Sequence, residues 1–152
     1  MLDFFDASEK VSDDAIKVLE SFIGASLPED YYVFLSSKGG GYPQPDCFRF
    51  MNEDEGSSIQ RFYGLNRSDD YDLVRKLKTY SNRIPSESIP VACDPGGNQI
   101  CLMIRGKNRG KIYFLDHEFE SEYDPAIPNE FNMKLISNSF TEFINGFYDL
   151  EV

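Results

Sequence analysis

Tryptophan is absent from this chain of 152 residues, histidine occurs once and cysteine three times. Each scarcity removes a class of chemistry. Cys47, Cys93 and Cys101 show no C-x-x-C spacing, and a zinc centre built on them would need histidine ligands that a lone His117 cannot supply. Three reduced, mostly buried thiols are expected, with no metal and no cofactor. Basic residues are also scarce: 15 Lys plus Arg stand against 26 Asp plus Glu, a formal net charge of −11. That balance argues against nucleic acid, whose affinity comes largely from cations displacing counterions, and favours a basic partner. Long apolar runs are missing as well. No stretch approaches the ~20 residues of a membrane span, and Met1 to Asp6 lacks the basic start and apolar run of a signal peptide. A cytoplasmic, soluble protein with no membrane partner is the expectation.

Aromatic residues are plentiful, with 13 Phe and 9 Tyr. A chain of this length buries about two thirds of its unfolded surface, which suits a single domain over residues 1–152 that needs no staple.

The periodicity sets out an order of elements. Ile16, Leu19 and Ile23 lie on one helical face, with Ser12, Asp13 and Asp14 able to cap the start and Gly24 to stop it. Ser26-Leu27-Pro28-Glu29 has the form of a capping box, Leu27, Tyr31, Phe34 and Leu35 make a second buried stripe, and Gly39 to Gly41 end that helix. Residues 47–51 and 59–65 read as strands joined by a turn at 52–56, and 69–80 as a helix. Then comes a meander: 89–93, a turn at Asp94 to Asn98, 100–104, a turn at 106–110, and 112–115. Strand 100–104 is apolar on both faces and so should be central. A last helix is expected over about 137–148, with Phe140, Phe143, Ile144 and Phe147 on one face.

The order of motifs is more informative than any one of them. Leu19-Glu20 before Gly24, Leu27-Pro28-x-x-Tyr31-x-x-Phe34-Leu35, the glycine run at 39–41, and Ile89-Pro90-Val91-Ala92 before Gly96-Gly97-Asn98-Gln99-Ile100-Cys101-Leu102 come first. Lys111-Ile112-Tyr113-Phe114-Leu115-Asp116-His117-Glu118 and Ser139-Phe140-x-x-Phe143-Ile144 follow. In this sequence the motifs, spanning about residues 16–147, resemble the SUKH superfamily. The resemblance implies an α+β fold, a mainly antiparallel sheet with helices packed against it. It also implies a binding protein without enzymatic activity, since many bacterial members are similar to immunity proteins of polymorphic toxin systems and others act as regulatory scaffolds.

Individual motifs give no catalytic site. In Asp116-His117-Glu118 the carboxylates point away from the imidazole on a strand, so a structural role for His117 is favoured over a general base. Gly96-Gly97-Asn98 runs into a strand rather than a helix, which favours a hairpin turn over a phosphate loop. Arg105, Lys107, Arg109 and Lys111 read as a solvated hairpin tip. No catalytic residue is assigned.

The acidic runs are the better clue. No Lys or Arg occurs between Lys111 and Lys134, whereas Asp116, Glu118, Glu120, Glu122, Asp124 and Glu130 all do. Asp46 and Glu53-Asp54-Glu55 form a second acidic segment. Phe48, Phe50, Phe119 and Tyr123 sit among them as possible interface anchors. The expected partner-binding residues are therefore Asp46, Glu53, Asp54, Glu55, Glu118, Glu120, Glu122 and Asp124, and the expected partner is a cognate toxin protein, basic, such as a nuclease. A regulatory interaction scaffold without a toxin partner is the alternative, and a plain soluble acidic surface the bland reading.

Overall fold

The computed structural model describes residues 2–8, 10–117 and 133–150. Its elements run β1 (Asp3–Phe5), α1 (Asp13–Ile23), α2 (Glu29–Ser37), β2 (Tyr42–Gln44), β3 (Cys47–Arg49), β4 (Gly56–Ser58), β5 (Arg61–Phe62), α3 (Leu73–Tyr80), β6 (Ser88–Cys93), β7 (Gln99–Met103), β8 (Ile112–Leu115), β9 (Met133–Ser137) and α4 (Phe140–Asn145). Strands β5 to β9 form a five-stranded antiparallel sheet in sequence order, and β1–β2 and β3–β4 form two small antiparallel pairs. The fold is α+β, as the motif order implied. Among the described residues no helix is long and apolar enough to cross a membrane.

Strand β7 is central because both its faces are apolar. Ile100 and Leu102 enter the main core with the stripe Leu27, Tyr31, Phe34 and Leu35, while Cys101 joins Tyr80, Ile84, Leu115 and Met133 on the opposite face. The many phenylalanines explain how short elements hold together. Phe62, fully buried, lies within ring-packing distance of Phe4, Phe34, Phe140, Phe143 and Phe147, at 5.0 to 6.3 Å between centroids.

Helix ends follow local chemistry, though not always where the sequence suggested. Ser12 accepts from Ala15 N, and Gly24 closes α1 at φ 72°, a conformation that costs glycine nothing. The capping box expected at Ser26 does not form: Pro28 occupies the cap position of α2 without a side-chain bond, and Leu27 N donates to Glu20 Oε2 at 2.6 Å. The Ser-x-x-Glu device appears instead at α4. There Ser139 accepts from Glu142 N and Glu142 Oε2 from Asn138 N. Asp30 adds a cap from α2, its Oδ2 accepting from both Thr141 N and Thr141 Oγ1 at 2.9 Å.

Other expectations are corrected by long-range pairing. Lys38, not glycine, ends α2. The glycine run instead lets the backbone approach the N-terminal strand: Gly41 has φ 79°, and a β-carbon there would collide with the Phe5 carbonyl oxygen. Strand 47–51 pairs not with 59–65 but with Gly56–Ser58, which begins at the last residue of the expected turn, while β5 in the latter segment joins the large sheet. Strands β1, β2 and β9 had no counterpart in the sequence reading, and the last helix is shorter than its apolar pattern. Both outer edges of the large sheet already carry neighbours: Phe62 N donates to Gly41 O at 2.7 Å on the β5 side, and Met51 N to Leu135 O at 2.9 Å on the β9 side.

Candidate functional site

The β3–β4 hairpin carries the acidic segment around residue 53. Its tip is closed by Phe50 N to Glu55 O and Glu53 N to Phe50 O, with Asn52 at φ 61°, a left-handed position that asparagine tolerates. This geometry leaves Glu53, Asp54 and Glu55 exposed and Asp46 half-buried at the hairpin's base. Lys134 on β9 partly neutralises the tip, with its ammonium 3.3 Å from Glu53 Oε1 and 5.0 Å from the Phe50 ring centroid. Asp54 and Glu55 have no ion pair among the described residues. Phe48 and Phe50 are not interface anchors: at 2% and 8% exposure they belong to the core, where alternation along β3 turns them inward.

Beside the hairpin lies a cleft of about 460 Å³ whose walls include Cys47, Asp54, Ser57, Asp94, Tyr148 and Leu150. Burial is the first cause that pushes the Cys47 thiol up, and the neighbouring Asp46 carboxylate adds to it, so this sulfur is a poor nucleophile. Asp94 is buried and fully engaged. Its carboxylate accepts from Gly96 N, Asn98 N, Asn98 Nδ2 and Ser57 Oγ at 2.8 to 3.1 Å. The backbone nest at this glycine turn is thus filled by the protein's own anion. His117 completes the same corner, its N–H bonded to Asn98 Oδ1 and its Nε2 donating to Gly96 O, both at 3.0 Å. Its ring nitrogen binds the turn rather than a reacting group.

Glu118, Glu120, Glu122 and Asp124, with Phe119 and Tyr123, lie outside the described residues. Their chain neighbours do not. Leu115 pairs with Met133 across β8 and β9, so the described chain stops at His117 and resumes at Met133 at one end of the sheet. That end is the one bearing the Asp94 turn and the acidic hairpin, through Ser57 Oγ to Asp94, His117 to Asn98 and Lys134 to Glu53. The structure therefore brings the acidic hairpin and both flanks of the second acidic run together. Sequence reading missed Lys134 and the Tyr148–Leu150 flank. Lys134 is 81 positions from Glu53, and no local pattern pairs them. Cys47 exchanges backbone bonds with Tyr148 at 3.0 Å in both directions, again a contact without a local signal.

The basic turn also differs from expectation. Arg105 donates to Ile23 O and to Ser86 O, and Arg109 to Ser26 O at 3.0 Å, so two of the supposedly solvated charges tie the β7–β8 turn to the end of α1. Arginine there satisfies a carbonyl at a helix C-terminus. Among the described residues no group of three or more His, Cys, Asp or Glu could hold a metal ion.

Comparison with known proteins adds two findings. A sequence model described as the SMI1 / KNR4 family (SUKH-1) matches residues 10–146. A curated relative, the SPbeta prophage-derived uncharacterized protein YokK of Bacillus subtilis (strain 168), is 34% identical over 155 aligned residues, covering 91% of this chain and 75% of the relative.

Proposed function

The chain belongs to the SMI1 / KNR4 family (SUKH-1), and from that premise we propose that it is a non-enzymatic bacterial immunity protein, which binds a cognate basic toxin domain and blocks its active site. The prophage-derived relative fits this setting. The observation that carries the reading is the gathering of Asp46, Glu53, Asp54 and Glu55 with both flanks of the acidic run 116–124 at one end of the sheet. Carboxylates held on an exposed hairpin attract a basic surface at long range and mimic the phosphates of a nuclease substrate. Among the described residues Asp54 and Glu55 have no ion-pairing cation, which leaves their charge to a partner in this proposal. Glu118, Glu120, Glu122 and Asp124 are proposed as further partner-binding residues.

The test is genetic and then physical. The chain is co-expressed with the toxic C-terminal domain encoded directly upstream of its own gene. Restored growth together with a stable purified complex is the expected result. Absence of an upstream toxin gene, or growth arrest unrelieved by co-expression, would overturn the immunity reading in favour of a regulatory scaffold.

A further inference from the structure

The opposite end of β7 has the opposite character. On α1, Val18 and Phe22 stand one turn apart at 70% and 58% exposure. Beside Phe22 a groove of about 430 Å³ opens between the end of α1, α3 and the start of β6. Its walls are mainly apolar, with Ile23, Leu77, Ile84, Pro85 and Ile104 among them, and among the described residues its charged lining consists of Lys78 and Arg105 with no carboxylate. Arg105 is held across the groove by the carbonyls of Ile23 and Ser86, neutral partners that fix the guanidinium without cancelling its charge. Lys107 and Arg109 stand on the adjoining turn. Of the nearby carboxylates, Glu20 is engaged by Leu27 N, and Glu87 lies beside Gly106 outside the lining. In a chain of net charge −11, an apolar groove lined by the minority sign alone is selective.

We propose that this groove docks a short segment of a second protein, one that presents bulky apolar side chains flanked by Asp or Glu. The apolar walls take the side chains, Phe22 closes over them as the aromatic anchor, and Lys78 and Arg105 pair with the flanking carboxylates. A membrane surface is the poorer fit, because a membrane takes up a broad protruding apolar face, whereas Ile84, Pro85 and Ile104 of the groove wall are buried and Val18 and Phe22 protrude beside it. The site lies at the far end of the sheet from the acidic hairpin, so the protein can hold two partners of opposite charge.

The experiment uses two synthetic amphipathic peptides with leucines at helical spacing and either Glu or Lys at every other position. Binding is read by fluorescence anisotropy and mapped by amide chemical shifts. The Glu peptide should bind at least about tenfold tighter than the Lys peptide at low salt. Its shifts should centre on Phe22, Leu77, Ile84 and Ile104. Phe22→Asp and Lys78→Glu should each weaken it about tenfold while melting and toxin neutralisation stay as in the wild type. Equal binding of the two peptides, no binding of the Glu peptide, or shifts centred elsewhere would overturn the proposal. So would a concentration-dependent dimer, or binding to phosphatidylserine–phosphatidylcholine vesicles, that Phe22→Asp abolishes, since a second copy or a membrane would then be the occupant.

Discussion

At the scale of single residues, the core among the described residues contains one uncompensated side-chain polar atom. The Tyr31 hydroxyl is buried with no hydrogen-bond partner among the described residues, while its ring packs on Phe34 and Phe140 at 6.2 and 5.2 Å. Burial alone pushes its phenol far above the ordinary tyrosine range. Tyr31→Phe keeps the ring contacts and removes the orphan oxygen, so it should leave stability unchanged or raise it by up to about 1 kcal/mol in denaturant melts. A clear loss would mean that the hydroxyl has a partner. Asp69 gives a pH-dependent case. The Arg67 guanidinium, hydrogen-bonded to both its oxygens, holds its carboxyl below the usual aspartate range. Its stabilisation is therefore complete above that ordinary range and is lost as pH falls through the lowered value. Asp69→Asn should be less stable than wild type at neutral pH and equal to it once the pH lies well below the lowered value. The difference should be small, since the Asp69 side chain is 44% exposed.

Among elements, β1 depends on a single close approach. Because Gly41 combines φ 79° with contact against the Phe5 carbonyl, Gly41→Ala should unpair β1 from β2 at a cost of about 2 kcal/mol or more. Amide exchange would show the loss as deprotection of residues 3–5 and 42–44, while β7 stays protected. This glycine also shows what the sequence could and could not reveal. Its residue type announced an unusual backbone, and the local reading assigned that to the end of α2, since the alternative required a strand 36 residues upstream. Periods confined to one element were legible: the α1 and α2 stripes, the meander 89–115, the central place of β7. Features created by pairing across long separations were not, which is why β1 and β2 were missed, and the short polar strand Gly56–Ser58 carries no apolar alternation to mark it. The acidic hairpin was visible as charge, but its partial neutralisation by Lys134 depends on β9 and had no signature.

For the molecule as a whole the main result is a polarity of charge along the sheet. Carboxylates gather at the Asp94 end, and Lys78, Arg105 and Arg109 at the other. Replacing Asp54 and Glu55 together by Lys should slow association with a basic toxin severalfold at low salt and much less at high salt, with melting little changed. A rate independent of both substitution and salt would show that the acidic hairpin does not steer the partner.

The neighbours along both outer edges of the sheet have a consequence for how specificity can change through descent. With Phe62 and Leu135 on the two outer edges of the large sheet already bonded to Gly41 and Met51, those two edges among the described residues offer a partner an interrupted ladder, and recognition falls to side chains on loops and grooves. Such a surface can switch partners by one substitution at a time, because no backbone register has to be kept in common with the protein it meets. The scaffold and its choice of partner are then free to evolve at different speeds.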